Sequence, residues 1–210
     1  MIIPSHKLLF VHIPKTGGQS IIEFILRNIT TKIDLNDNIK YGLKLNTDHK
    51  LPGPSHYHHL FLREYMDNKI LPTEDIENYY KFTVLRNPYD RFISAFSFQC
   101  LHEHYNTTYD FVKDFQKLKN KDERLYRMFC SQTQYVTLKD SINFINMYYT
   151  VEDMQDIFLW LRKDFKFIGK ELHNNKSNKV YDLDDKTLKF IEDYYACDFE
   201  LIEEVKWKRK

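Results

Sequence analysis

Apolar residues along this chain gather in short runs whose spacing alternates between strand and helix periods. Leu8, Leu9, Phe10 and Val11 form an unbroken run, the pattern of a strand buried on both faces. A turn of Pro14, Lys15, Thr16, Gly17 and Gly18 follows. Ile21, Ile22, Ile25, Leu26 and Ile29 then recur at helical spacing and predict a helix with one apolar face. A second strand is predicted over 82–85. Asn87 and Pro88 end it, and Pro88 opens a helix carrying Phe92 and Phe96 on one side. Further helices are predicted over 107–118 (Phe111, Val112, Phe115 and Leu118 inward), over 152–164, and from a cap at Asp184 or Asp185 to about residue 205. The run in 142–150 reads as a strand, 165–169 as a last short strand, and 69–80 as a short helix opened by Pro72. Residues 30–54 and 172–181 are polar and predict loops. The alternation makes this an α/β chain, and its length suits one domain spanning 1–210.

The first turn carries chemistry. A strand, a glycine turn and a helix start aim backbone N–H groups at one point, and the helix dipole adds partial positive charge there. Glycine lets an anion approach the backbone closely, and Lys15 adds a full charge at the mouth. The nucleotide-triphosphate loop places its Lys after the glycines. Here Lys15 precedes them, so the spacing departs from an ATP or GTP site. Arg86 falls at the carboxyl end of the second strand, with Ser94 two turns into the next helix. An Arg fork and a hydroxyl together suit a phosphate monoester. Between these stretches lie His56, His58 and His59. No carboxylate or cysteine stands one helical turn beyond them, so no metal is expected; imidazole suits general-base work near neutral pH.

The stretch His12-Ile13-Pro14-Lys15-Thr16-Gly17-Gly18-Gln19-Ser20 resembles the H-I-P-K-T-G-G-T-S loop of carbohydrate sulfotransferases that use PAPS (3′-phosphoadenosine 5′-phosphosulfate). It departs only at Gln19, where Thr is usual. Arg86, Asn87, Pro88, Arg91, Ser94 and Phe96 are similarly placed to the family's 3′-phosphate motif, R-[DN]-P-x-x-R-x-x-S-x-[YF]. His59, Arg63 and Glu64 match an H-A-x-x-R-E pattern of one branch, and His56 and His58 match the H-x-H of others. The resemblance covers nearly the whole chain, least over 30–54. It implies a P-loop-like sulfotransferase fold, a central parallel β-sheet flanked by helices. It implies that Thr16, Gly17, Gly18, Gln19 and Ser20 hold the 5′-phosphate while Lys15 acts at the bridging oxygen. Arg86 and Ser94 would hold the 3′-phosphate, and Lys176 and Ser177, in a polar loop, would close over the nucleotide. His59 is the first choice of base, His58 the second and His56 the third. Arg91 would pair with an acid or hold its helix, and Gln132 and Gln134, in the region that borders the acceptor cleft, are either sugar contacts or plain surface amides. PAPS is then the donor, PAP the product, no metal is required, and the acceptor is a hydroxyl of a sugar or glycolipid.

Composition narrows the remainder. Lys and Arg total 31 against 30 Asp and Glu, a net charge of +1 that argues against a general nucleic-acid binder. No run of 18 apolar residues predicts a membrane span, and no charged-then-apolar leader precedes the first strand. Cys100, Cys130 and Cys197 are widely spaced and odd in number, which suits a reduced, cytoplasmic setting. Two other functions stay open at this level: a nucleotide or small-molecule kinase on a related fold, and a non-catalytic module that binds PAP or a glycan.

Overall fold

The computed structural model describes residues 1–29, 59–67, 78–118, 121–169 and 182–208. The stretches 30–54 and 172–181, most of the helix expected over 69–80, and His56, His58, Lys176 and Ser177 lie outside the described residues. Among the described residues, four strands make one sheet: β1 (Ile2–Ile3), β2 (Leu8–Val11), β3 (Tyr80–Leu85) and β4 (Met147–Thr150), side by side in that order. β2, β3 and β4 run parallel, with Phe10 opposite Phe82 and Phe82 opposite Met147. β1 is antiparallel to β2, pairing Ile2 with Leu9, so the parallel sheet carries one short antiparallel edge. Two residues are too few to show a period, which is why the sequence pattern does not reveal β1.

The helices are α1 (Gly18–Ile29), α2 (Leu62–Asp67), α3 (Pro88–Phe98), α4 (Thr108–Leu118), α5 (Glu123–Phe129), α6 (Gln132–Val136), α7 (Met154–Phe165), α8 (Asp185–Tyr194) and α9 (Ala196–Lys208). The unbroken apolar run of β2 is explained by burial on both sides. Leu8 and Phe10 pack with Ile21, Ile22 and Ile25 of α1 and Ile157, Phe158 and Leu161 of α7. Leu9 and Val11 face the opposite way, toward Leu62 and Tyr65 of α2, Tyr135 of α6 and Leu201 and Ile202 of α9. Each such side chain contributes ~1.5–3 kcal/mol when fully buried. A third cluster lies away from the sheet and joins Phe92 and Phe96 of α3, Phe111 and Phe115 of α4, Phe129 of α5 and Ile191 of α8.

Two expectations are corrected. Residues 165–169 form no strand: Lys166 takes a left-handed conformation at φ 60° and turns the chain back at the end of α7. The Phe167 N–H then points to the Leu161 carbonyl, and its ring buries beside Phe24 and His6 instead of extending along the sheet. The last helix is two helices, α8 and α9, broken at Tyr195. The Tyr195 hydroxyl donates to the Phe129 carbonyl, and Asp198 turns inward to cap α6. Of the two candidate caps for α8, Asp184 accepts from the Thr187 N–H at 2.9 Å.

Candidate active site

The carboxyl ends of β2, β3 and β4 lie on one edge of the sheet, where open α/β sheets bind ligands. β2 delivers the 12–17 loop there, β3 delivers Arg86 and Asn87, and β4 delivers the turn at 150–153. The loop is tightly wound, with Lys15 at φ 67° and Gly17 at φ 79°, the left-handed region that costs a β-carbon-bearing residue about 1–2 kcal/mol. The Thr16 hydroxyl closes the turn on the Ile13 carbonyl at 2.9 Å, and Thr16 is fully buried. α1 begins at Gly18, and a β-carbon there would lie 2.1 Å from Cδ2 of His12. The His12 ring therefore lies directly against the helix start, and the pair His12 and Gly18 fixes how the loop meets α1.

Two arginines hold this loop from behind. Arg86 donates from Nη1 to the Lys15 carbonyl at 3.1 Å. Arg91, 2% exposed, donates to the carbonyls of Pro14, Cys130 and Met128 at 3.1, 2.9 and 3.1 Å, so it ties α3 and α5 to the loop through carbonyls. Arg86 is itself positioned by Gln132, whose amide accepts from the Arg86 N–H at 2.9 Å and donates to the Arg86 carbonyl at 2.8 Å. Gln132 is 0% exposed, so it is a strut under Arg86 and not a surface amide. Asn87 caps α3 by accepting from the Tyr89 N–H at 2.9 Å, with Pro88 in the first helical turn as its sequence implied.

Lys15 and Arg86 are brought together, both partly buried. Burial, and secondarily the Arg86 charge, push the Lys15 ammonium down to about 8. Burial likewise lowers Arg86, opposed by Asp90 and Glu152. The Lys15 ammonium lies 3.9 Å from the centre of the Phe98 ring, a cation–π contact that favours the charged form. Phe98 stands one helical turn beyond Ser94 on α3 and is 60% exposed. An exposed aromatic at i+4 from a motif serine is a signal that helical spacing could have supplied. Ser94 and Ser20 are both buried, and Gln19 is exposed with its amide donating to Glu23 at 3.0 Å.

His59 stands three residues before the start of α2 and reaches the loop: its Nδ1 lies 3.0 Å from the His12 carbonyl. A carbonyl only accepts, so Nδ1 carries the proton and a neutral ring has its lone pair on Nε2. The two imidazoles lie with centroids 4.4 Å apart, and His12 stacks in turn on Phe10. His12 is thus a site residue whose role the linear motif did not reveal. Among the described residues no group of three or more His, Cys, Asp or Glu side chains is arranged to hold a metal ion, and no helix is long and apolar enough to cross a membrane.

Comparison with curated proteins and with solved structures gives no significant match. The model of the Sulfotransferase family matches residues 1–203. That match spans β1 through most of α9, so the chain belongs to the sulfotransferase family.

Proposed function

We propose that the chain transfers the sulfuryl group of PAPS to a hydroxyl of a carbohydrate or glycolipid, with His59 as general base. The observation that carries this reading is the 3.1 Å hydrogen bond from Arg86 to the Lys15 carbonyl. It joins the two motifs that resemble the 5′-phosphosulfate and 3′-phosphate sites at one sheet edge. That contact is to the Lys15 main chain, and the Arg86 charge is also felt at the Lys15 ammonium; two cationic side chains at one sheet edge suit a ligand with two anionic groups.

The chemistry follows from the residues. The N–H groups at the start of α1 receive the 5′-phosphate, and Arg86 and Ser94 receive the 3′-phosphate. The acceptor oxygen bonds to sulfur as the bond from sulfur to the bridging 5′-phosphate oxygen breaks. The acceptor proton passes to Nε2 of His59, and PAP leaves with the electron pair. Lys15 supports the negative charge that grows on the bridging oxygen, a role whose loss typically costs ~3–4 kcal/mol of barrier. Most of the rate comes from position and charge, as in phosphoryl transfer.

The test is calorimetric titration of PAP, then of ATP with Mg²⁺, into the purified protein. PAP binding without ATP binding supports the reading. Binding of ATP with Mg²⁺ and not PAP would replace it with a kinase. PAP binding without turnover of labelled PAPS against any sugar acceptor would leave a nucleotide-binding module.

A further inference from the structure

We propose that Arg127 and Glu64 are positioning residues for His59, holding its main chain so that its ring keeps one tautomer. The proposal rests on the reading of His59 as the base.

Arg127 lies on α5, far in sequence from the histidine, and is 5% exposed. Its Nη1 donates to the His59 carbonyl at 3.1 Å and to Oε2 of Glu64 at 2.8 Å. Its Nη2 donates to Oε1 of Glu64 and to Oε1 of Glu123, each at 2.5 Å, and its Nε donates to Oε1 of Glu123 at 3.0 Å. Every N–H of the guanidinium fork therefore has an acceptor. The fork also lies over the Phe61 ring, 4.4 Å from its centre. Oε2 of Glu64 accepts the Phe61 N–H at 2.7 Å. The pair thus grips the main chain at both His59 and Phe61, the residues on either side of Leu60.

A buried ion pair is weak as a source of stability, because desolvation offsets its attraction. Its stronger consequence here is geometric. His59 is fixed at its carbonyl by α5 and at its ring by the His12 carbonyl of the loop. The first contact sets where the ring starts, and the second reads that position out as the proton on Nδ1. If the His59 main chain shifts, Nδ1 loses its acceptor and Nε2 no longer has the lone pair by default. Lys in place of Arg127 has no planar fork and cannot span Glu64, Glu123 and the His59 carbonyl together.

The experiment reads the His59 tautomer in ligand-free, ¹⁵N-labelled protein by long-range ¹H–¹⁵N correlation, at about pH 8, above the ordinary imidazole range. The variants are Arg127→Lys and Glu64→Gln, with circular dichroism and PAP calorimetry as controls. In the unsubstituted protein Nδ1–H dominates. In each variant the ratio of Nδ1–H to Nε2–H falls about fivefold or more, the factor corresponding to one lost hydrogen bond of ordinary net strength. PAP affinity stays within about twofold, because Lys15, Arg86 and Ser94 are untouched. A folded variant with the original tautomer ratio overturns the proposal, as does an unsubstituted protein without the Nδ1–H form. If both variants lose the fold, the pair is a fold element and the positioning role is overturned. Failure of the functional reading is distinguishable: the unsubstituted protein would then fail to bind PAP, whatever the tautomer does.

Discussion

On the proposed function, binding of PAP is expected to take up a proton at alkaline pH, at Lys15. In the ligand-free protein the Lys15 ammonium is pushed down to about 8 by burial and by Arg86. A phosphate beside it favours the charged form, so the pKa rises on binding. The sign follows: affinity is fully present below about pH 8 and is lost as pH rises through that value. At about pH 9 only about one-eleventh of the free protein carries charged Lys15, against about nine-tenths at about pH 7. PAP affinity therefore falls about tenfold between the two, or ~1.4 kcal/mol. PAP's own phosphates, with second ionisations near ~6, gain slightly more charge over the same interval and oppose the trend weakly. The assay is calorimetry at both pH values in two buffers of different ionisation enthalpy, which counts protons. About 0.9 proton is taken up per PAP at about pH 9, and about 0.1 at about pH 7. Lys15→Arg removes both the slope and the uptake, because Arg stays charged throughout. A flat affinity, or a slope that survives Lys15→Arg, would refute the assignment.

Three further outcomes follow from individual contacts. Phe98→Leu removes the ring under the Lys15 ammonium and lowers the Lys15 pKa further, by about half a unit for a contact of ~0.5–1 kcal/mol; an NMR titration of ¹³C-labelled lysine checks it, and no downward movement would show that the contact carries no energy. Gly18→Ala drives a β-carbon to 2.1 Å from the His12 ring and destabilises the fold by ~1–3 kcal/mol in denaturant unfolding. Adding His12→Ala recovers part of that loss, and strictly additive costs would disprove the contact's role. Gln132→Met leaves the main-chain N–H and carbonyl of Arg86 without their side-chain partners and costs ~1–3 kcal/mol per group left buried and unpaired; PAP affinity falls with it, and an unchanged affinity would mean that Arg86 does not need the strut.

What the sequence determined and what the tertiary structure decided divide by the range of the interactions. The β2 run, the glycine turn and the apolar face of α1 are local patterns, and each carries its own signature in consecutive residues. Pro88 and Asn87 likewise announce the start of α3 because capping is a contact between near neighbours. From these alone the phosphate-type loop and the Arg86 motif could be placed on the right elements and at the carboxyl edge of a sheet. The strand expected over 165–169 was illegible as a turn because its fate depends on Phe167 finding a cavity beside Phe24 and His6. The break at Tyr195 likewise depends on Phe129, 66 residues away. The same holds for the residues that support the site. Gln132 is 46 residues from Arg86, and Arg127 is 68 from His59, and no periodicity links such pairs. Nothing in the sequence distinguishes an amide or guanidinium that will be buried against a main chain from one that stays in water. Only the packed fold decides which polar side chains lose their water, and those that do must find partners inside.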